Sequence, residues 1–365
     1  SYTNCWDTAS TDWESNMKFT LTRLPTAAFV AASLTTGAAA QESLWPFEVI
    51  NAADGAGETV SYEGLESAEK PWHVCVLFPH MKDSYWVAVN YGIVDQARKL
   101  GVKATILEAG GYTEAAKQMS QYNDCMALGG DAIVIGAISE AGLAKSMAEG
   151  NEKGIVQVGV INPMSDVASA RIFANYDDAA EAGARFLAEM SGDTPKRMVH
   201  FPGPQGSGWA EASTEGVERG IDGSAIELLE AKYGDTGKSI QLRLVEDALQ
   251  AYDDVNIVYG TAVTAEVAQQ ALEEAGNEDA VIAAYYSNEG MVNLVKSGVV
   301  TATVTESPVM EARIAMDLAV RILEGKDHMF ALNPSMTVLT KDNIDAFDMS
   351  RSFAPADWEP VYSVE

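Results

Sequence analysis

The chain has 365 residues with 24 basic and 53 acidic side chains, which gives a formal charge of −29. An acid excess of this size excludes a nucleic-acid binder that works by charge attraction, and it argues against anionic membranes and anionic ligands. The length is sufficient for two domains of ordinary size.

A cleavable secretory signal is predicted over residues 17–40, after an upstream extension over 1–16 that has no targeting character. A short basic region precedes an apolar run of small residues, and an Ala-x-Ala site predicts cleavage before Gln41. The apolar run is too short to be a stable bilayer anchor. An exported protein that does not span a membrane once processed is therefore expected, and a single transmembrane anchor is the alternative.

From Trp72 onward the sequence alternates between strand and helix patterns with short connections, after a lead-in over 41–71 that is predicted to be irregular. Predicted strands, with helices between most of them, cover 73–78, 103–108, 131–136, 155–160, 171–174, 197–202, 225–230, 255–259, 280–285 and 299–304. This alternation predicts an α/β protein with two doubly wound parallel-sheet lobes.

The two lobes follow each other without a low-complexity linker, which predicts a multi-crossing hinge instead of a flexible tether. The N-terminal lobe is assigned residues 72–165 and about 286–305, the C-terminal lobe 170–285 and about 306–345, and a tail 346–365. Breaks in the regular pattern predict chain crossings near 162–175, 286–290 and 305–307.

The turn after the first predicted strand carries the main candidate ligand residues. Asp83 or Ser84 can cap the following helix, and Tyr85 and Trp86 lie where ligands bind in open parallel sheets, beyond the carboxyl end of a strand. Aromatic residues at comparable positions are Tyr112, Tyr176, Trp209 and Tyr286. Because basic residues are scarce in these turns, the pattern favours a ligand with a methylated, electron-poor nitrogen. Packing between the lobes is the alternative role for each ring.

Signatures of catalysis, cofactor binding and metal binding are missing from the sequence. No HExxH, GxSxG, P-loop or paired-carboxylate motif accompanies the four histidines. His80 lies near Asp83, so an acid–base cluster is conceivable, although a histidine in such a turn is more often a local hydrogen-bonding group. The glycines of 203–208 are in the wrong order for a dinucleotide site, and Pro204 removes a donor. We therefore expect no enzyme and no cofactor.

Cys75 and Cys125 are the cysteines that follow the predicted signal. In an exported protein they either form a disulfide or remain two buried thiols. The sequence leaves both alternatives open.

The whole segment 72–340 resembles the type I periplasmic binding proteins. Asn175-Tyr176 before a helix, and 297–304 followed by Ser307-Pro308, are similar to the sugar-binding branch. A more specific resemblance is to the TorT family, which is periplasmic and senses trimethylamine N-oxide (TMAO). It lies in residues 78–86, 90–92, 107–112, 201–204 with Trp209, and 234–238.

This resemblance implies a non-catalytic periplasmic sensor that binds TMAO or a related small methylated amine between its lobes. It further implies that the protein signals to the periplasmic sensor domain of a TorS-like histidine kinase. The matching positions support Asp83, Tyr85, Trp86, Tyr112 and Trp209 as ligand-binding residues, with Tyr176 and Tyr286 added from their positions. A backbone N–H near 206–208 is expected to meet the N-oxide oxygen.

The alternative is a solute-binding subunit of an ABC importer for a sugar or small amine. Family members tend to carry Trp-Tyr where this chain has Asn175-Tyr176, and an asparagine there is similar to the sugar binders. A sugar site needs several polar groups besides stacking rings. Those available are Asn175, Asn288, Gln205 and Asp83.

Overall fold

The computed structural model describes residues 44–53 and 57–365, so the predicted signal at 17–40 lies outside the described residues. Strands are Phe47–Asn51 (β1), Glu58–Tyr62 (β2), His73–Phe78 (β3), Lys103–Glu108 (β4), Ala132–Ile135 (β5), Val156–Ile161 (β6), Ala170–Phe173 (β7), Lys196–Phe201 (β8), Ile226–Ala231 (β9), Ile257–Gly260 (β10), Val281–Ala284 (β11), Ala302–Thr305 (β12), Ala331–Pro334 (β13), Thr337–Thr340 (β14) and Ser363–Val364 (β15). Helices are Ser84–Leu100 (α1), Ala115–Ala127 (α2), Glu140–Glu152 (α3), Tyr176–Ser191 (α4), Trp209–Ile221 (α5), Lys238–Ala251 (α6), Ala262–Glu274 (α7), Glu289–Ser297 (α8) and Pro308–Leu323 (α9).

These strands form two sheets, each the centre of one lobe. The first sheet has the order β15-β4-β3-β5-β6-β7-β13-β1-β2, and the second has the order β14-β12-β11-β10-β8-β9. Pairing is parallel from β4 through β13 in the first sheet and from β12 through β9 in the second, while the outer strands pair antiparallel. The predicted α/β fold with two mostly parallel sheets is confirmed.

The first predicted strand, β3, lies in the interior of the first sheet, as its continuous apolar sequence predicts. β3 pairs in parallel with both β4 and β5, and residues 74–78 are fully buried. A strand covered on both faces in this way has a continuous apolar sequence. α1 begins directly behind it with Asp83 as its N-cap and ends at Gly101, whose φ of 74° is the left-handed value that favours glycine at a helix end.

Several parts of the predicted domain assignment are wrong. The lead-in 41–71 contains the hairpin β1–β2, which extends the first sheet beyond β13. β12, placed by the prediction in the N-terminal lobe, pairs with β11 in the second sheet. α9, placed in the C-terminal lobe, packs on α1 and β6, and β13 joins the first sheet. β7, also assigned to the C-terminal lobe, pairs with β6 in the first sheet.

The chain passes between the sheets where the strand assignment changes. Two crossings, 174–175 and 306–307, fall at the predicted places, but β11, α8 and β12 all stay in the C-terminal lobe, so the crossing expected near 286–290 is wrong. A further crossing lies at 335–336, between β13 and β14. The predicted tail then returns to the first lobe, where β15 pairs with β4.

Cys75 and Cys125 form a disulfide between β3 and α2, with Cα atoms 5.8 Å apart. Both residues are fully buried in a small core of the N-terminal lobe. The structure thus resolves the alternative that the sequence left open. Across the described residues, none of the helices combines the length and apolar character that crossing a membrane requires.

Candidate functional site

A small cavity lies between the two lobes, at the carboxyl ends of the strands. All seven residues predicted from the sequence line it, namely Asp83, Tyr85, Trp86, Tyr112, Tyr176, Trp209 and Tyr286. Four lining residues were not predicted as ligand residues, namely His80, Ile161, Asn162 and Thr236. The structure therefore brings the predicted residues together, while their contact with a ligand stays a prediction.

The N-terminal lobe positions its residues through the start of α1. The Asp83 carboxylate caps the helix by accepting a hydrogen bond from the Trp86 backbone N–H at 3.1 Å. This cap fixes the first turn, so Tyr85 and Trp86 both project toward the cavity and are 3% exposed. Tyr112, which follows β4, is held by a hydrogen bond of 3.2 Å from the Asn162 amide to its hydroxyl.

The C-terminal lobe supplies rings that face those of the N-terminal lobe. Tyr176 and Trp209 are the first residues of α4 and α5, and Tyr286 follows β11. The centroids of Tyr112 and Trp209 are 5.5 Å apart, and those of Tyr85 and Tyr286 are 5.3 Å apart. These spacings are typical of interacting aromatic pairs, so the rings enclose the cavity from both lobes. We call this set of six rings the cage: Tyr85, Trp86, Tyr112, Tyr176, Trp209 and Tyr286.

A hydrogen-bond chain behind the rings was missed by the sequence analysis. The Tyr85 hydroxyl donates to Glu306 at 2.6 Å and lies 2.9 Å from the Tyr176 hydroxyl. Glu306 is 1% exposed and lies at the crossing that follows β12. The sequence did offer a signal for Glu306. This carboxylate directly follows a buried strand, just as the turn after β3 carries the predicted ligand residues.

His80 joins the two lobes beside the cavity. Its Nδ1 accepts a hydrogen bond from the Lys82 backbone N–H at 3.2 Å, so Nε2 carries the proton and donates to the Thr236 hydroxyl at 3.2 Å. Burial lowers the pKa of His80 to about 4, which keeps the ring neutral. Lys82 and Asp235 add an ion pair of 3.1 Å across the same gap. These contacts define a closed arrangement of the lobes.

One buried donor in the cavity has no partner. The Trp209 Nε1–H donates to no acceptor among the described residues, although the side chain is only 4% exposed. Two of the backbone donors expected at 206–208 are already used, because Glu211 accepts from the Gly206 and Gly208 N–H groups at 2.6 and 2.9 Å. An unpaired buried donor is costly, so Trp209 is the better placed group for a ligand oxygen.

Three of the four polar residues that the sequence offered for a sugar site lie outside the cavity. Asn175 donates to Asp178 at 3.0 Å, and Asn288 caps α8 and donates to Glu266. Gln205 is exposed. Of the four polar residues considered for a sugar, Asp83 alone lines the cavity.

The cavity is acidic and its tyrosines are neutral. Burial raises the pKa of Asp83 to about 6, against the opposing effect of the Trp86 N–H. Burial also raises the pKa of the four lining tyrosines, which leaves them un-ionised at neutral pH. The lining residues of the described part include no lysine or arginine, so a cationic nitrogen meets no like charge there.

Two α/β lobes that enclose a small cavity at their strand ends define a class of binding protein for small solutes. The model of the family described as periplasmic binding protein domain matches residues 74–327, well over half of the chain. The chain belongs to this family, in its type I fold. It is therefore a solute-binding protein and not an enzyme, and membership implies a periplasmic location.

Three relatives are informative. The periplasmic protein TorT of Escherichia coli K12 is 29% identical over 298 residues, which is 81% of this chain and 85% of TorT. A solved ABC transporter solute-binding protein from Bradyrhizobium sp. BTAi1 with bound Bis-Tris is 42% identical, with a TM-score of 0.76, over 87% of this chain and 98% of that one. The solved complex of TorT with the TorS sensor domain in the presence of TMAO has a TM-score of 0.71 at 23% identity, over 80% of this chain and 99% of that one.

Proposed function

We propose that the protein binds TMAO or a related small methylated amine between its lobes. The observation that carries the proposal is the cavity wall, where six aromatic rings and the Asp83 carboxylate surround a space without a lysine or arginine among the described lining residues. Ring faces attract a cationic nitrogen electrostatically, and the attraction is largest when water is excluded. All six rings belong to residues predicted from the sequence.

The size of the cavity supports a compact ligand. The space in which the centre of a water-sized sphere can lie is only about 20 Å³, so the cavity suits a ligand of few atoms. TMAO has five heavy atoms and presents three methyl groups, so it can contact rings on every side of such a space. Of the four polar residues that the sequence offered for a sugar, Asp83 alone lines this space.

The unpaired donor supports a ligand that also carries an oxygen. We assign the Trp209 Nε1–H to the oxide oxygen of TMAO, since that donor has no other acceptor. The Asp83 carboxylate then lies on the side of the positive nitrogen, or orients a water there. This arrangement replaces the backbone donors near 206–208, which Glu211 occupies.

For the biological role, we propose a sensor that presents its ligand state to the periplasmic sensor domain of a TorS-like histidine kinase. The similarity to TorT over 81% of the chain supports this role. The second candidate is the solute-binding subunit of an ABC importer, which the 42% identical Bradyrhizobium protein favours. The Bradyrhizobium protein was solved with bound Bis-Tris, itself a tertiary amine, so both roles agree with amine recognition.

Calorimetric titration of the purified protein with TMAO, betaine, choline, Bis-Tris and ribose tests the ligand class. We expect binding of TMAO or another methylated amine and none of ribose. Ribose binding without amine binding would reject the proposal in favour of the sugar importer.

The role is tested separately, by titrating the protein with a purified TorS-type sensor domain with and without saturating TMAO. A sensor should bind this domain, and TMAO should change the affinity. An importer subunit should not bind it in either state.

A further inference from the structure

Two buried carboxylates lie at a crossing between the lobes. Glu306 directly follows β12, and Glu311 lies in the first turns of α9. They are 1% and 0% exposed. The chain between them turns at Ser307, whose φ of 68° is left-handed. A buried acidic pair therefore occupies the place where the chain leaves the second sheet for the first lobe.

Neither carboxylate is neutralised by a basic group in the described part of the chain. Glu306 Oε2 and both oxygens of Glu311 have no hydrogen-bond partner there. Arg313, the basic residue that follows on the same helix, pairs instead with Asp95. Burial of an unpaired ionised carboxylate is very costly, and two neighbouring carboxylates raise the cost further. A proton on the pair removes most of this cost.

The pair is connected to the ligand cavity through two of its rings. The Tyr85 hydroxyl donates to Glu306 Oε1 at 2.6 Å, which leaves its oxygen to accept from the Tyr176 hydroxyl at 2.9 Å. Tyr85 belongs to α1 of the N-terminal lobe and Tyr176 to α4 of the C-terminal lobe. The chain of three groups can form only when the lobes are closed, because each lobe contributes one ring.

We propose that Glu306 is a positioning residue for the cage rings Tyr85 and Tyr176, and that the Glu306–Glu311 pair takes up a proton when the lobes close on the ligand. Opening separates the two rings and admits water, so the carboxylates are hydrated and release the proton. Ligand affinity then falls as the pH rises. The link to affinity rests on the proposed function, whereas the protonated pair itself does not depend on the identity of the ligand.

The surroundings of both groups agree with this proposal. Burial raises the pKa of Glu306 to about 7, and burial with the nearby Glu306 charge raises that of Glu311 well above its usual range. The other titratable groups that face them are Tyr85 on α1 and Tyr176 on α4, both neutral at pH 7. No cation is among the groups that shift either pKa. Asp83 is a separate group, since neither Glu306 nor Glu311 is among the groups that shift its pKa.

The first test measures proton uptake in calorimetric titrations with TMAO at pH 7, in buffers of different ionisation heat. Wild type should take up protons and lose affinity between pH 6 and 8, by at most about tenfold per pH unit for one proton. Glu311→Gln should remove most of the uptake. Glu218→Gln, an exposed glutamate of α5, is the matched control and should behave as wild type.

The positioning role is separated from a structural one by two variants at the same site. Glu306→Ala should weaken TMAO binding at pH 6 by tenfold or more, because the Tyr85 hydroxyl loses its acceptor. Glu306→Gln keeps an acceptor and should restore binding at pH 6, while the affinity becomes less dependent on pH. Equal affinity of the Ala and Gln variants would overturn the positioning role.

A ligand-free readout separates this proposal from the proposed function. A carboxyl whose folded pKa lies above its unfolded value of about 4.3 stabilises the fold at low pH, and this stability falls as the pH rises through the folded pKa. In the ligand-free protein this applies to the closed form, so urea unfolding should show wild-type stability falling from pH 6 to 8 in proportion to the closed population, and Glu311→Gln should remove much of that fall. If TMAO does not bind but this difference is seen, the proposed function fails and the protonated pair stands. No proton uptake together with equal pH profiles would overturn the pair.

Discussion

Trp86 shows how a single ring depends on a distant glycine. A Cβ atom at Gly136 would lie 2.6 Å from the Trp86 ring, so the turn after β5 must lack a side chain for the indole to reach the cavity. The ring then packs against Phe78 in a tilted arrangement, with centroids 5.2 Å apart. Trp86 is consequently fixed from behind by the core, and its other side is available to a ligand.

Replacement of Trp86 or Tyr112 by alanine is expected to weaken TMAO binding by about 1–3 kcal/mol for each residue, from lost cation–π and packing contacts. Titration calorimetry measures the change, and circular dichroism verifies the fold. Tyr362→Ala, at a tyrosine that is 48% exposed, is the control and should bind as wild type. Wild-type affinity in both cage variants would contradict the assignment of the cavity as the ligand site.

Trp209→Phe tests the donor to the ligand oxygen, because it keeps an aromatic ring and removes the unpaired Nε1–H. We expect it to weaken TMAO binding by about 1–3 kcal/mol, the cost of a lost hydrogen bond to a charged oxygen. Tetramethylammonium has no oxygen, so its affinity should change much less. An equal loss for both ligands would assign the tryptophan to packing alone.

At the scale of elements, the disulfide joins the central strand of the first sheet to the helix beside it. Cys75 in β3 and Cys125 in α2 close a loop with a sequence separation of 50. In the chain-entropy model, a cross-link of this span lowers the entropy of the unfolded chain and so raises its free energy by about 4 kcal/mol. The bond therefore stabilises the N-terminal lobe, which holds the first half of the site.

Reduction should lower the melting temperature of the wild-type protein for this reason. The double variant Cys75→Ala/Cys125→Ala should melt at a lower temperature and should not respond to reductant. Thiol labelling of the unfolded, non-reduced protein should leave both cysteines unlabelled. Labelling at Cys75 and Cys125 would show that they are free thiols in the isolated protein.

At the scale of the whole molecule, we expect ligand binding and lobe closure to be coupled. The closed form has contacts between the lobes besides those of the cage, such as Lys82 with Asp235 at 3.1 Å. The Lys82 side chain is 40% exposed, and an exposed pair of this kind contributes at most about 1 kcal/mol. A ligand that contacts both lobes shifts the population toward the closed form only by its differential affinity for the two forms.

Addition of TMAO should therefore decrease the radius of gyration of the protein slightly, as measured by small-angle X-ray scattering. A partner that recognises the closed form must be coupled reciprocally, so TMAO and a TorS-type sensor domain should change each other's affinity by the same factor. Equal binding of this domain with and without saturating TMAO would contradict signalling by population shift and strengthen the importer as the alternative.

Much of this architecture follows from the sequence alone. Buried strands and helices space their apolar residues differently, so the sequence distinguishes them. Their alternation with short connections predicted the α/β fold. The cage residues were also predictable, since the carboxyl ends of parallel strands meet at one edge of each sheet. The seven residues chosen for that position line one cavity.

The tertiary structure alone decided which sheet each later element joins. A short apolar run such as β12 has the same pattern in either sheet, and its partner β11 is specified by long-range packing. Packing between distant parts of the chain likewise decided where the hairpin β1–β2 pairs, that Cys75 meets Cys125, and that Glu306 and Glu311 are buried. Hydrogen-bond partners such as Glu211 for Gly206 become known only when the loops are folded, and they decided which donor in the cavity stays unpaired.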